Sequence, residues 1–195
     1  MDLATLNREQ RQAVETLNGP VLILAGAGSG KTRALTYRVA NLIEHGIPAS
    51  AILALTFTNK AAKEMKTRIA QLVGEGQAEQ AWISTFHSTC ARILRRDIEK
   101  LGYARSFVIY DDDDQTAVLK EILKRQDIDD KYLPVREIKS RISDMKNRLM
   151  TPEEWFRHSQ QDHRCRQIRE VMLEYETRLK ALNALDFDDL LSQTL

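Results

Sequence analysis

Apolar positions along this chain follow two spacings. In four short runs they are nearly contiguous: Pro20-Val-Leu-Ile-Leu24, Ala51-Ile-Leu-Ala-Leu-Thr56, Ala81-Trp-Ile-Ser-Thr85 and Phe107-Val-Ile-Tyr110. Runs of this length, bounded by turn or polar residues, predict strands, and contiguous apolar residues predict burial on both faces, as in a parallel sheet. Elsewhere apolar residues recur every three or four positions: Ala13, Val14 and Leu17; Leu35, Val39, Leu42 and Ile43; Ala62, Met65, Ile69 and Leu72. That spacing lines one face of a helix. Helices are therefore predicted before the Gly19-Pro20 stop, over 33–45 ahead of Gly46, from a cap at Asn59 to Gly74, and over 87–101 up to Gly102. Asn7 and Gln10 have the spacing of a capping box, which gives Gln10 a structural role without any ligand. Alternating strands and helices predict an α/β fold with its sheet covered on both faces.

After Gly102 the pattern is helical almost throughout. Thr116 to Arg125 is amphipathic, and Pro134 to Arg148 is basic, carrying Arg136, Lys139, Arg141, Lys146 and Arg148. That basic run serves equally as a phosphate-binding face or a solvated one. Thr151-Pro152-Glu-Glu154 is a capping box with proline at the first helical position. Cys165 to Leu182 is predicted as a long helix carrying Ile168, Val171, Met172, Tyr175 and Leu179. The expected architecture is an α/β nucleotide-binding core with a mostly helical insertion.

Composition narrows the class. The 195 residues are enough for one domain plus an insertion, and 43% hydrophobic with 29% charged residues is an ordinary globular balance. A net charge of +1 means that any nucleic-acid binding must use a local basic face. Cys90 and Cys165 form no CxxC pattern and suit a reducing compartment. There is no secretory signal pattern at the start, and no apolar run approaches the roughly 18 residues of a membrane span. A cytoplasmic protein with no membrane partner is expected.

The chemistry concentrates in Ala25-Gly26-Ala27-Gly28-Ser29-Gly30-Lys31-Thr32, set between the first apolar run and a helix. Glycines let the backbone bend around an anion, and the helix start adds unpaired N–H groups and a positive dipole end. Lys31 would reach the β/γ-phosphates and the Thr32 hydroxyl would bind Mg²⁺. The loop departs from G-x-x-x-x-G-K-[ST] only in having Ala25 first. Two polar clusters end later strands: Thr56-Phe57-Thr58-Asn59-Lys60 and Thr85-Phe86-His87-Ser88. The carboxyl ends of strands in open α/β sheets are where ligands bind, so the two clusters could line one groove. Phe57 reads as core or as a platform for a base, with Thr58, Asn59 and Lys60 on phosphates. Asn59-Lys60 also fits the start of a guanine-reading N-K-x-D, but position 62 is Ala. By pattern, Asp111 or Asp112 would be the magnesium-holding acid, with the Asp186-Phe-Asp188-Asp189 stretch a weaker fit. His158, His163 and Cys165 lack any standard zinc spacing.

Six elements occur in order: Leu6-Asn7-x-x-Gln10, Ala25 to Arg33, Thr56 to Ala62, Ser84-Thr-Phe-His-Ser88, Tyr110-Asp111-x-x-Asp114-Gln115, and Asp186-Phe-Asp-Asp-Leu-Leu191. As a set they resemble the UvrD/Rep/PcrA group of superfamily 1 DNA helicases. The resemblance implies a RecA-like P-loop NTPase core. It implies ATP rather than GTP, read by Gln10, with Arg33 near the base. It implies single-stranded DNA on Phe57 and on Thr85, Phe86 and His87, and it removes Asp111 from the magnesium site. It further implies 3′ to 5′ translocation, junctions of single- and double-stranded DNA as substrate, and repair or replication proteins as partners. The expected division is a first motor domain over 1–89, a helical inserted subdomain over 90–182 and a return segment over 183–195. The chain is expected to be the N-terminal portion of a helicase, stopping before the second acidic strand and the second motor domain, and to hydrolyse little ATP alone. The rival classes are another P-loop enzyme such as a kinase or GTPase, a helicase–nuclease subunit of the same superfamily, and a non-catalytic binding fragment.

Overall fold

In a computed structural model, which describes residues 1–195, the capping signals read from the sequence begin several of the helices. Helix α1 (Arg8–Glu15) starts at Asn7, whose side chain and that of Gln10 complete the reciprocal box. Helix α2 (Lys31–Glu44) follows the glycine-rich loop directly. Strand β1 (Leu53–Thr56) comes after a 3-10 turn, Ala49–Ala51. Helix α3 (Asn59–Val73) is capped by Thr58, which accepts a hydrogen bond from the Ala61 N–H. The cap therefore falls one residue before Asn59, because the Thr58 hydroxyl occupies the position that satisfies a first-turn donor. A short helix unannounced by the sequence, α4 (Glu75–Gln80), leads into β2 (Trp82–Thr85).

Strands β1 and β2 pair in parallel, with Leu53 opposite Trp82 and Thr56 opposite Thr85. One face of this pair is closed by a core of Val39, Ile52, Ala54, Met65, Ile69 and Ala78, drawn from α2, α3 and α4 as well as β1. The other face is open, with Leu53 52% exposed. The expected strand over 20–24 does not form. Those residues pair with no strand, and Leu22 and Leu24 are 82% and 87% exposed. A strand exists only through a neighbour's hydrogen bonds, and the segment stays unpaired.

The chain divides into two units, Met1–Thr89 and Cys90–Leu195. The second contains most of α5 (Phe86–Asp97), which continues as a 3-10 turn, Ile98–Leu101, where one longer helix was expected. It continues with β3 (Val108–Ile109), α6 (Asp112–Arg125), α7 (Val135–Asn147), α8 (Pro152–Arg157), α9 (His163–Ala181), β4 (Ala184–Leu185) and α10 (Phe187–Ser192). The acidic run after β3 is explained by α6. Asp111 caps it, Asp114 returns the bond, and carboxylates in the first turn favour the helix dipole. Asp111 is thus engaged in capping, which removes the pattern-based case for it as a metal ligand. Asp162 caps α9, so that helix begins two residues before Cys165.

Strands β3 and β4 form a second, two-stranded parallel sheet. Around it lie two apolar clusters. One is centred on Leu119, Ile138, Met145, Met172 and Tyr175, and the other on Leu94, Ile98, Phe107, Leu185 and Leu190. Each large apolar side chain buried in this way contributes about 1.5–3 kcal/mol. The observed class is mixed α/β with short parallel strands and mostly helix. No helix is long and apolar enough to cross a membrane.

Candidate functional site

The site begins with two glycines that only backbone geometry can explain. Gly28 and Gly30 have φ of 77° and 84°, so the chain can turn sharply into α2. Gly30 also lies under Gln10. The Gln10 side-chain amide donates to the Ser29 carbonyl at 2.9 Å, and a Cβ on Gly30 would stand 2.5 Å from Gln10 Nε2. Gln10 therefore makes two structural contacts at once. Its Oε1 accepts from the Asn7 N–H, closing the capping box, while its Nε2 holds the loop.

Gly30→Ala is expected to cost about 1–2 kcal/mol from the left-handed backbone alone, read by urea unfolding. It should also displace Gln10. Loss of the protected Gln10 side-chain amide signal in NMR is the expected result, and an unshifted signal would exclude the contact.

Gly30 has no side chain to cap α2, so the first N–H groups of that helix lack a side-chain acceptor. Most other helices of the chain have one, including α1, α3, α6, α8, α9 and α10. A Cβ added at Gly26 or Gly28 would meet nothing within 4 Å, so there is room around the loop. The Lys31 ammonium folds back and donates to the Ala25 and Gly26 carbonyls at 2.7 and 2.6 Å. Thr32 is exposed in the first turn. Free first-turn donors, a lysine and a hydroxyl form a donor set that fits a polyphosphate with a magnesium ion. Beside the loop, α1 and the stretch 21–25 line a cavity of about 550 Å³ that includes Gln10, Ser29 and Lys31. Arg33 is exposed with its guanidinium 5.5 Å from the centre of the Tyr37 ring. Hydrogen bonds with Thr5 and then Arg33 hold the Tyr37 phenol below its ordinary pKa.

The two polar clusters meet. Because Thr56 and Thr85 are register partners, the residues after them emerge side by side. The Phe57 and Phe86 rings lie 5.6 Å apart at 40°, and Phe57 is 91% exposed. Phe57 is therefore not core. Thr85 is buried and bonded to the Ser88 hydroxyl, a structural position that leaves Phe86 exposed at the edge. Asn59 and Lys60 are exposed in the first turn of α3.

In the second unit the basic stretch of α7 is not a uniform phosphate face. Lys146 turns inward and is 6% exposed, bridging Asp186 at 2.6 Å and Asp189 at 2.7 Å. Lys139 pairs with Asp112, and Arg148 with Asp144. Asp186 also caps α10 and accepts from the Tyr175 hydroxyl at 3.0 Å. Burial and then the Asp186 charge push the Tyr175 phenol far above its usual range. Burial raises Asp189 to about 6 despite the opposing Lys146 charge. Burial opposes the Lys146 charge, but the two carboxylates outweigh it and hold the ammonium above its ordinary value. This buried network was not foreseen, although the Asp186 to Asp189 spacing is that of a capping box and could have announced α10. No group of His, Cys, Asp and Glu is arranged to hold a metal, and His158, His163 and Cys165 form no such site.

A glycine-rich loop opening a helix on its Lys-Thr pair, beside a parallel strand pair with an aromatic edge, defines a P-loop nucleotide-binding α/β protein. The chain belongs to the UvrD/REP helicase N-terminal domain family, which matches residues 6–195. It is 49% identical over 191 residues to the ATP-dependent DNA helicase PcrA of Staphylococcus epidermidis, and 48% identical to that of Staphylococcus aureus. Each match covers 97% of this chain and 26% of the relative, so the chain spans about a quarter of the length of these curated relatives.

Proposed function

We propose that the protein carrying this chain is an ATP-dependent DNA helicase that moves 3′ to 5′ along a single strand and opens duplex at junctions. Residues 1–89 are read as part of its first RecA-like motor domain, 90–182 as a helical inserted subdomain and 183–195 as the return segment. The observation that carries the proposal is that one 89-residue unit joins an anion-ready loop to an exposed aromatic pair at the ends of adjacent strands. When bound, Mg-ATP supplies the phosphoanhydride whose cleavage drives such a motor. Residues 25–30 and the first turn of α2 cradle the phosphates, Lys31 neutralises them, and Thr32 supplies a metal ligand. Gln10 reads the adenine edge and Arg33 lies near the base. Phe57 and Phe86 stack bases, while Thr58, Asn59, Lys60 and His87 line the backbone track, and buried Thr85 supports that edge from behind. The partners are single-stranded DNA, a second motor domain, and repair or replication proteins.

The test is binding of an oligo(dT) strand to the wild type and to Phe57→Ala. Stacking on one aromatic is worth about 1–3 kcal/mol per base, so affinity should fall about tenfold. Equal binding by the two proteins would remove the stacking role and, with it, the single-strand track.

A further inference from the structure

Helix α1 carries Gln10 but has no basic residue in its own last turn to meet its C-terminal carbonyls. Helix α2 supplies the donors instead. Arg38 Nη1 donates to the Ala13 carbonyl at 2.5 Å and also to that of Thr16. Asn41 Nδ2 donates to the Val14 carbonyl at 3.0 Å, in a buried contact. The Gln12 carbonyl is met by the backbone N–H and hydroxyl of Thr16. A cation on these carbonyls also answers the negative end of the helix dipole. At its other end α1 meets the loop through Gln10 and Ser29. The helix is thus fastened at both ends to one continuous segment, the loop and the helix it opens.

We propose that Arg38 and Asn41 are positioning residues for base selection: by fixing the α1 carbonyls to α2, they hold Gln10 over the loop. This rests on the reading of Gln10 as the adenine-reading group, and it assigns part of the ATP preference to side chains at the opposite end of α1.

The experiment compares binding of ATP, GTP and inorganic tripolyphosphate by calorimetry. The proteins are the wild type, Gln10→Ala, Arg38→Met, Arg38→Lys and Asn41→Leu. Arg38→Met and Asn41→Leu are each expected to lower the ATP-to-GTP preference about fivefold, the scale of one hydrogen bond, with tripolyphosphate affinity within about twofold of wild type. Arg38→Lys should recover part of the preference, since it keeps the charge but loses the guanidinium fork. An unchanged preference in Arg38→Met and Asn41→Leu, alongside a lost one in Gln10→Ala, overturns the positioning role while leaving the site reading intact. A preference insensitive to Gln10→Ala overturns both. Should Arg38→Met lose tripolyphosphate binding, Arg38→Lys decides: a wild-type preference there sinks the proposal, and an intermediate one supports it.

Discussion

Lys146→Met is expected to lower the stability of the second unit by about 3–5 kcal/mol near pH 8, because two buried carboxylates then lack their counter-ion. Lys146 is held between Asp186 and Asp189 at 2.6 and 2.7 Å, with all three side chains nearly inaccessible. The pH dependence separates this explanation from simple loss of packing. Asp189 is raised from 3.8 to about 6 by burial, with the Lys146 charge opposing and the Asp186 charge assisting. Between those values the folded chain holds a proton there that the unfolded chain has released. Stability from this group therefore declines as pH rises from about 4 to 6, then levels off. Removing the ammonium pushes Asp189 higher still. The decline in the variant should extend beyond pH 6, so its deficit is smaller at pH 5 than at pH 8. Urea unfolding at pH 5 and pH 8 measures it, and equal deficits would show that packing rather than charge is lost. Adding Asp189→Asn should restore part of the stability at pH 8, since one of the two uncompensated carboxylates is then neutral.

Lys31→Ala is the second large effect. Calorimetry with ATP or tripolyphosphate should show affinity reduced about 100-fold, the worth of a charge-assisted contact to phosphate of about 3 kcal/mol. The unfolding midpoint should barely move, because Lys31 is exposed and its present partners are two loop carbonyls open to water. Thr32→Ala should behave differently, removing the gain in affinity that Mg²⁺ provides and leaving the metal-free affinity near wild type. Nucleotide binding by Lys31→Ala at wild-type strength would mean that the loop is not the phosphate cradle.

What the sequence made legible was local. The Asn7 to Gln10 and Thr151 to Glu154 boxes, the glycine-rich loop and the periodic faces of α2, α3 and α9 all depend on residues within a few positions of one another. The failures involve partners distant in sequence. Val21 to Leu24 has every intrinsic mark of a strand, yet pairing is not a property of one segment. In the opposite direction, Ala184-Leu185 is too short to be noticed and becomes a strand only because Val108 and Tyr110 donate to the Asn183 and Leu185 carbonyls. Helix α4 has one small buried residue, Ala78, and two glycines at or near its start, so it shows no periodic face. In the candidate site, residue types and order were legible, and so was the approach of the two strand ends. The bond from Gln10 to Ser29 and the inward turn of Lys146 span 19 and 40 positions and could not be read from spacing.

The folded-back Lys31 has a consequence for which anions the loop accepts. Its ammonium already holds two carbonyl oxygens, so an incoming anion must supply more than those contacts return. A monoanion offers one weak replacement. A polyphosphate offers several charged oxygens to the same ammonium and reaches the free N–H groups of α2 as well. The apparent affinity of every ligand is lowered by the same factor, the fraction of time Lys31 is free, so only ligands of high intrinsic affinity still bind appreciably. The intramolecular contact therefore acts as a threshold on charge density, and it keeps the loop ordered before any ligand arrives, so less ordering remains to oppose binding.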